Sequence, residues 1–96
     1  MLYGMRKISF KNIERIVRGF ANHRRIQVMY LLNEQPELSV LEIAQKLKVN
    51  FKTIADHIQR LAVAGLVMKR NEGSTVRHVL TKRGMHILKF CRTLES

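Results

Sequence analysis

Ninety-six residues, 46% of them hydrophobic, suffice for one small domain with its own core, and a chain this short gains from a partner. A formal net charge of +11 points to polyanions (DNA, RNA or an acidic membrane surface), while no apolar run approaches a membrane span. The single thiol, Cys91, excludes an intrachain disulfide, and Met1 to Phe10 lacks the apolar stretch of a signal peptide, so a cytoplasmic protein is expected.

Residues 1–9 show no clear period and read as an arm. From there Phe10, Ile13, Ile16, Val17 and Phe20 recur at helical spacing, with Lys11, Glu14, Arg15 and Arg18 on the far side. A second helix is expected from near Asn22 to about Asn33. Ile26, Val28, Met29, Leu31 and Leu32 make it apolar over most of its circumference, as a central core helix requires. Pro36 places a loop over 33–37.

A third helix is expected over 39–47 with Ser39 as its N-cap, then a tight turn, Lys48-Val49-Asn50. Asn50 is a good cap for a fourth helix that runs to about Ala64 and stops at Gly65. On a helical wheel Phe51, Ile54, Ala55, Ile58, Leu61 and Ala62 share one side, and Lys52, Thr53, Asp56, Gln59 and Arg60 the other. A short helix, a tight turn and a longer helix with a donor-rich face is the helix-turn-helix pattern, in which the second helix reads a major groove. An ordinary amphipathic helix pair with a solvated polar face fits these residues equally well.

Residues 66–70 read as a strand, 71–74 as a turn in which Gly73 takes positive φ, and 75–80 as the returning strand with Val76, His78 and Leu80 on one side. Thr81 caps a last helix, where Gly84, Ile87, Leu88, Cys91 and Leu94 share a face and Gly84 permits close backbone approach. The expected fold is mainly α with a small two-stranded β-hairpin after the helix-turn-helix, in one domain over 1–96. Between Lys46 and Arg83 nine Lys and Arg face two acids, Asp56 and Glu72, so the positive charge gathers on and just after the motif.

These segments resemble the winged helix-turn-helix domain of ArsR-type transcriptional repressors. Ala21-Asn22-His23-Arg24-Arg25-Ile26 is similar to the start of that family's second helix, and residues 37–44 to the segment opening its third. Residues 49–58, with Leu61 and Ala64-Gly65-Leu66-Val67, look like its recognition helix and the exit into the wing. Glu72-Gly73 and Leu80-Thr81 resemble the hairpin tip and its return, so the likeness spans about 20–81 without a gap. Leu80-Thr81-Lys82-Arg83-Gly84 is equally similar to MarR-type regulators.

The resemblance implies a homodimer on double-stranded operator DNA, with the first and last helices as its interface and half-sites about one helical turn apart. The residues expected there are Phe10, Ile13, Ile16, Val17, Phe20, Ile87, Leu88, Cys91 and Leu94. Many family members sense thiophilic metals through two cysteines on the third helix; the matching positions here are Ser39 and Leu41, neither a soft ligand. The last helix offers only His86 and Cys91, five apart and not on one face, so no metal site or other cofactor is expected.

Lys52 and Arg60 are the leading DNA contacts, since a guanidinium can fork onto guanine and an ammonium can take guanine or phosphate. Thr53 lies where hydroxyls reach phosphate or a thymine methyl, and Gln59 can pair with adenine. Asn50 either caps the helix or contacts DNA. Asp56 either accepts from cytosine or holds Lys52 or Arg60 in a helical salt bridge. His57, at the edge of the apolar face, either meets phosphate or packs. Lys69, Arg70, Ser74 and Arg77 in the hairpin are expected to touch phosphates, or else serve as solubilising surface. Lys52, Arg60, Lys69 and Arg70 should then converge on one surface.

Cys91 reads as a small buried hydrophobe, with a redox switch as its rival. No paired carboxylates, glycine-rich phosphate loop or Ser/His/Asp set is visible, so binding rather than catalysis is expected. The function these readings support is a sequence-specific DNA-binding transcriptional regulator, a homodimeric repressor lacking the cysteine metal site. The alternatives are a nonspecific architectural protein on nucleic acid and a MarR-like regulator; the scarcity of aromatic residues outside core spacing argues against single-strand stacking.

Overall fold

Each helix begins at a side chain that accepts backbone N–H groups, as a computed structural model describing residues 7–96 shows. Ser9, Asn22, Ser39, Asn50 and Thr81 are those caps, each taking up donors that the first helical turn leaves without a partner. They open α1 (Phe10–Phe20), α2 (His23–Glu34), α3 (Val40–Leu47), α4 (Phe51–Val63) and α5 (Lys82–Arg92). Between α4 and α5 lies one hairpin, β1 (Val67–Glu72) and β2 (Thr75–Leu80). Of the arm read over 1–9, the first six residues lie outside the described residues.

Ser39 and Glu42 form a full capping box: Ser39 Oγ accepts from the Glu42 N–H, and the Glu42 carboxylate accepts from the Ser39 N–H at 2.9 Å. The turn between α3 and α4 closes through Lys48, whose φ of 55° is left-handed without being glycine. That conformation costs roughly 1–2 kcal/mol, offset by bonds of the Lys48 and Val49 N–H groups to carbonyls at the end of α3. Val28, Met29 and Leu32 of α2 sit in the centre of the core, against Ile43 and Ala44 of α3 and Ile54, Ile58 and Leu61 of α4.

β1 and β2 pair antiparallel from Val67 opposite Leu80 to Glu72 opposite Thr75. The ribbon is therefore longer than expected: Asn71 and Glu72 are paired, and the connection shrinks to Gly73-Ser74, with Gly73 at φ 61°. A third short segment joins its edge. Leu38 bridges His78, with the Glu37 N–H on the His78 carbonyl and the His78 N–H on the Leu38 carbonyl, each at 3.0 Å. His78 is buried, and its Nδ1 donates to the same Leu38 carbonyl at 2.8 Å. Burial lowers its pKa below the ordinary histidine value.

Gly84 does what a close approach requires, but toward the chain's own backbone: a Cβ there would collide with the Leu66 carbonyl. Gly19 plays the same part where α1 lies across the end of α4, since a Cβ would overlap that of Ala64. The apolar faces of α1 and α5 are split. Phe20, Leu88 and Cys91, expected on a surface awaiting a partner, are buried in the chain's own core, where burial also pushes the Cys91 thiol up. Ile16 and Ile87 pack against that core half-buried, whereas Phe10, Ile13, Val17 and Leu94 remain exposed. Phe90, absent from the sequence reading, is exposed as well.

Candidate nucleic-acid interface

Helix α4 presents one dry and one wet face. Ile54, Ile58 and Leu61 are in the core, while Lys52, Thr53, Asp56, Gln59 and Arg60 are exposed together on the opposite side. Phe51 departs from the reading: placed with the dry face, it is 51% exposed at that face's edge. Both helix ends are held. Asn50 Oδ1 accepts from the Lys52 and Thr53 N–H groups, which settles its oxygen as a cap on an exposed residue whose side-chain amide still has N–H groups to donate.

At the far end Arg15 of α1 donates to the Val63 carbonyl at 2.9 Å and Arg83 to the Ala64 carbonyl at 3.0 Å. Thr81 Oγ1 donates to the Gly65 carbonyl at 2.6 Å. Cations at a helix C-terminus complement its dipole, so this clamp steadies α4 as a rigid rod. The rule for cations there is legible locally; that these come from 48 and 19 residues away is not.

Asp56 bonds Arg60 at 3.0 Å, the helical pair expected as one of its two roles. Both side chains are 61% exposed, so the pair orients the guanidinium without withdrawing it from the surface. Gln59 Oε1 accepts from Lys69 Nζ at 2.9 Å, which latches β1 to the wet face of α4. His57 is half-buried, and its Nδ1 is buried with no hydrogen-bond partner among the described residues. Burial of the ring first, then the nearby Arg25, lower its pKa. Of its two readings, packing against α2 is the one the geometry supports.

The hairpin cations do not all join this surface. Lys69 lies opposite His78 and Arg70 opposite Arg77, so strand alternation puts Lys69 and Arg70 on opposite faces of the ribbon. Arg70 is held by Glu37 at 3.1 Å and Glu72 at 2.9 Å. Arg77, half-buried, donates to the Glu37 carbonyl and pairs with Glu42 at 3.5 Å and Glu72 at 3.4 Å. Three carboxylates thus surround two guanidinium groups; the bond to Arg70 holds Glu72 below the usual carboxylate range. The expected convergence of Lys52, Arg60, Lys69 and Arg70 is corrected: Lys69 reaches the α4 side through Gln59, whereas Arg70 lies on the other face of the ribbon with Arg77, in a network of carboxylates. Ser74 is exposed at the tip.

Among the described residues no three His, Cys, Asp or Glu side chains converge as a metal would need, and no helix is long and apolar enough to cross a membrane. His86 is exposed and Cys91 buried, so the two do not meet at one surface.

A chain of this shape has known counterparts. The transcriptional activator HlyU of Vibrio cholerae is 34% identical over 80 residues, covering 83% of this chain and 72% of the relative. The homodimeric winged helix-turn-helix DNA-binding domain Mb0332 of Mycobacterium bovis superposes with a TM-score of 0.79 at 26% identity, over 88% of this chain and 78% of that one. HlyU of Vibrio vulnificus gives 0.72 at 30% identity, over 90% of each chain. The profile of the bacterial regulatory proteins of the arsR family matches residues 22–69. That stretch is half of the chain and contains α2, α3, α4 and the start of the wing, and it places this protein in the arsR family.

Proposed function

We propose that this protein is a sequence-specific, double-stranded DNA-binding transcriptional regulator, acting as a homodimeric repressor of the arsR type without the cysteine metal site. The observation that carries the reading is the wet face of α4: five polar side chains side by side on a helix clamped at both ends. Arg60, steered by Asp56, has the fork that matches guanine O6 and N7, and Asp56 can accept from cytosine N4. Lys52 and Gln59 extend the reading surface, Thr53 and the side-chain amide of Asn50 meet the backbone at the helix start, and Lys69 and Ser74 contact flanking phosphates.

The exposed apolar residues Phe10, Ile13 and Val17 of α1, with Phe90 and Leu94 near the C-terminus, form the dimer surface. Phe20, Leu88 and Cys91 support it from beneath. The Mycobacterium relative, described as a homodimeric DNA-binding domain, supports this assembly. A two-fold dimer calls for an inverted-repeat operator with half-sites about one helical turn apart. Repression follows from occupancy of a promoter; the position of the site sets the sign, and the Vibrio cholerae relative bears the name of an activator. Ser39 and Leu41 stand where soft ligands would be needed, so metal release is not the signal. A cytoplasmic location accords with this role.

The test is a salt titration of binding to random duplex and to a duplex selected from a library. A steep slope and a preference of about 10³ or more for the selected site are expected. Arg60→Ala should narrow that preference. Equal affinity for both duplexes at every salt concentration would replace this reading with the architectural one.

A further inference from the structure

Beside the reading face, α1 and the C-terminal half of α4 enclose a cleft of about 320 Å³ lined by Arg15, Arg18, Gly19, Gln59, Arg60 and Val63. Gly19 makes the cleft: without a side chain there, α1 lies against Ala64, which brings Arg15 and Arg18 beside Arg60. We infer that this cleft seats a backbone phosphate of the bound duplex, with Arg15 and Arg18 of α1 as its donors. The inference rests on the DNA-binding reading above and deepens it, because it makes α1 part of the DNA surface.

Three arginines from two helices line this cleft, and two of its lining residues, Gln59 and Arg60, also belong to the reading face. The seat is therefore continuous with that face. Arg15 is fixed in place by the Val63 carbonyl and by Asn12 Oδ1, each at 2.9 Å, and retains further N–H groups for a ligand. A preoriented planar fork suits phosphate oxygens.

Carbonyls at a helix C-terminus would ordinarily repel an anion, and here Arg15 and Arg83 cover them. Arg18 pairs with Glu14 at 3.3 Å, but both side chains are largely exposed, 80% and 60%. Such a pair is weak, and a phosphate with more charge and better geometry displaces the carboxylate. Arg25 stands behind, its guanidinium donating to the Arg18 carbonyl at 3.5 Å, and adds to the positive field. A single phosphodiester is small enough for the cleft. An apolar ligand would have to lie among three cations.

The experiment compares full-length wild type, Arg18→Gln, Arg15→Gln and, as a control for lost charge, Lys89→Gln on α5, with binding measured against salt on random and selected duplexes. Arg18→Gln should weaken both complexes alike, about 3- to 10-fold near physiological salt, and lower the salt slope by about one. Its melting temperature and dimer dissociation should match wild type, since an exposed side chain is changed. Arg15→Gln should lose at least as much binding, together with some stability from the lost Val63 contact. Lys89→Gln should retain the wild-type slope. A wild type that binds steeply while Arg18→Gln is indistinguishable from it overturns this inference alone. A wild type with no salt-dependent duplex binding removes the functional reading and this inference with it.

Discussion

Acidification from about pH 7.5 to about 5 should weaken the fold through two histidines, before any carboxylate is involved. His78 is 1% exposed beneath the hairpin, with Nδ1 donating to Leu38; burial lowers its pKa, the Leu38 bond opposes this in part, and the charge on Lys69 adds to the lowering. His57 is lowered first by burial, then by Arg25, with Arg60 and His23 adding to the effect and Asp56 opposing it. Both folded-state values therefore lie below the unfolded value of about 6.5. As pH falls through that value the unfolded chain takes up protons that the folded chain refuses. The stabilising contribution is complete above about pH 7 and declines below about 6.5. Each histidine that stays neutral in the fold contributes a slope of at most about 1.4 kcal/mol per pH unit, hence at most about 2.8 kcal/mol per pH unit for the pair. Against a total stability of roughly 5–15 kcal/mol, even a fraction of that slope is measurable. Glu42 and Glu72 have lowered values, so their contribution persists until pH drops below the ordinary carboxylate range, a separate and later window. Urea titrations at constant ionic strength would follow the midpoint at unchanged m. His57→Gln should lower the slope and leave the part due to His78. Stability that stays level from about pH 7.5 to about 5 would refute the reasoning.

Four further outcomes are expected. Asp56→Asn removes an exposed pair and a charge that repels phosphate, so stability should change by less than about 0.5 kcal/mol. Affinity of that variant for random duplex should rise by a factor on the order of 3, measured by fluorescence anisotropy. Gly84→Ala should cost about 1–3 kcal/mol in denaturant unfolding, because the clash with the Leu66 carbonyl outweighs the gain in helix propensity. Ser39→Ala breaks the capping box and should cost about 1 kcal/mol by the same measurement. Val17→Glu places a charge in the proposed dimer surface at a residue 44% exposed in the protomer, so sedimentation should report a monomer that still melts cooperatively.

What could be read from the sequence was local. A cap acts over three residues and a hydrophobic period over one helix, so Ser39, Asn50, Thr81 and, Phe51 apart, the two faces of α4 stood in the chain as they stand in the fold. The larger departures involve partners from distant segments. Residues 46–83 hold nine cations against two acids, yet Arg70 and Arg77 meet Glu37 and Glu42, which lie before that stretch. Local charge density therefore overstated the positive field of the hairpin. The bridge between Leu38 and His78 spans 40 residues and leaves no periodic trace around Pro36. Leu88 and Cys91 share a helix face with Leu94, but a helical wheel does not show which of them the core reaches. The neutralised back of the hairpin also bears on orientation. With Arg70 and Arg77 matched by carboxylates, the proposed DNA surface draws on Lys52, Arg60 and Lys69, joined in the further inference by Arg15 and Arg18 across the cleft. On that proposal a duplex would meet α4 broadside with α1 beneath its flank, and the hairpin would touch it through Lys69 and the tip rather than through its reverse face.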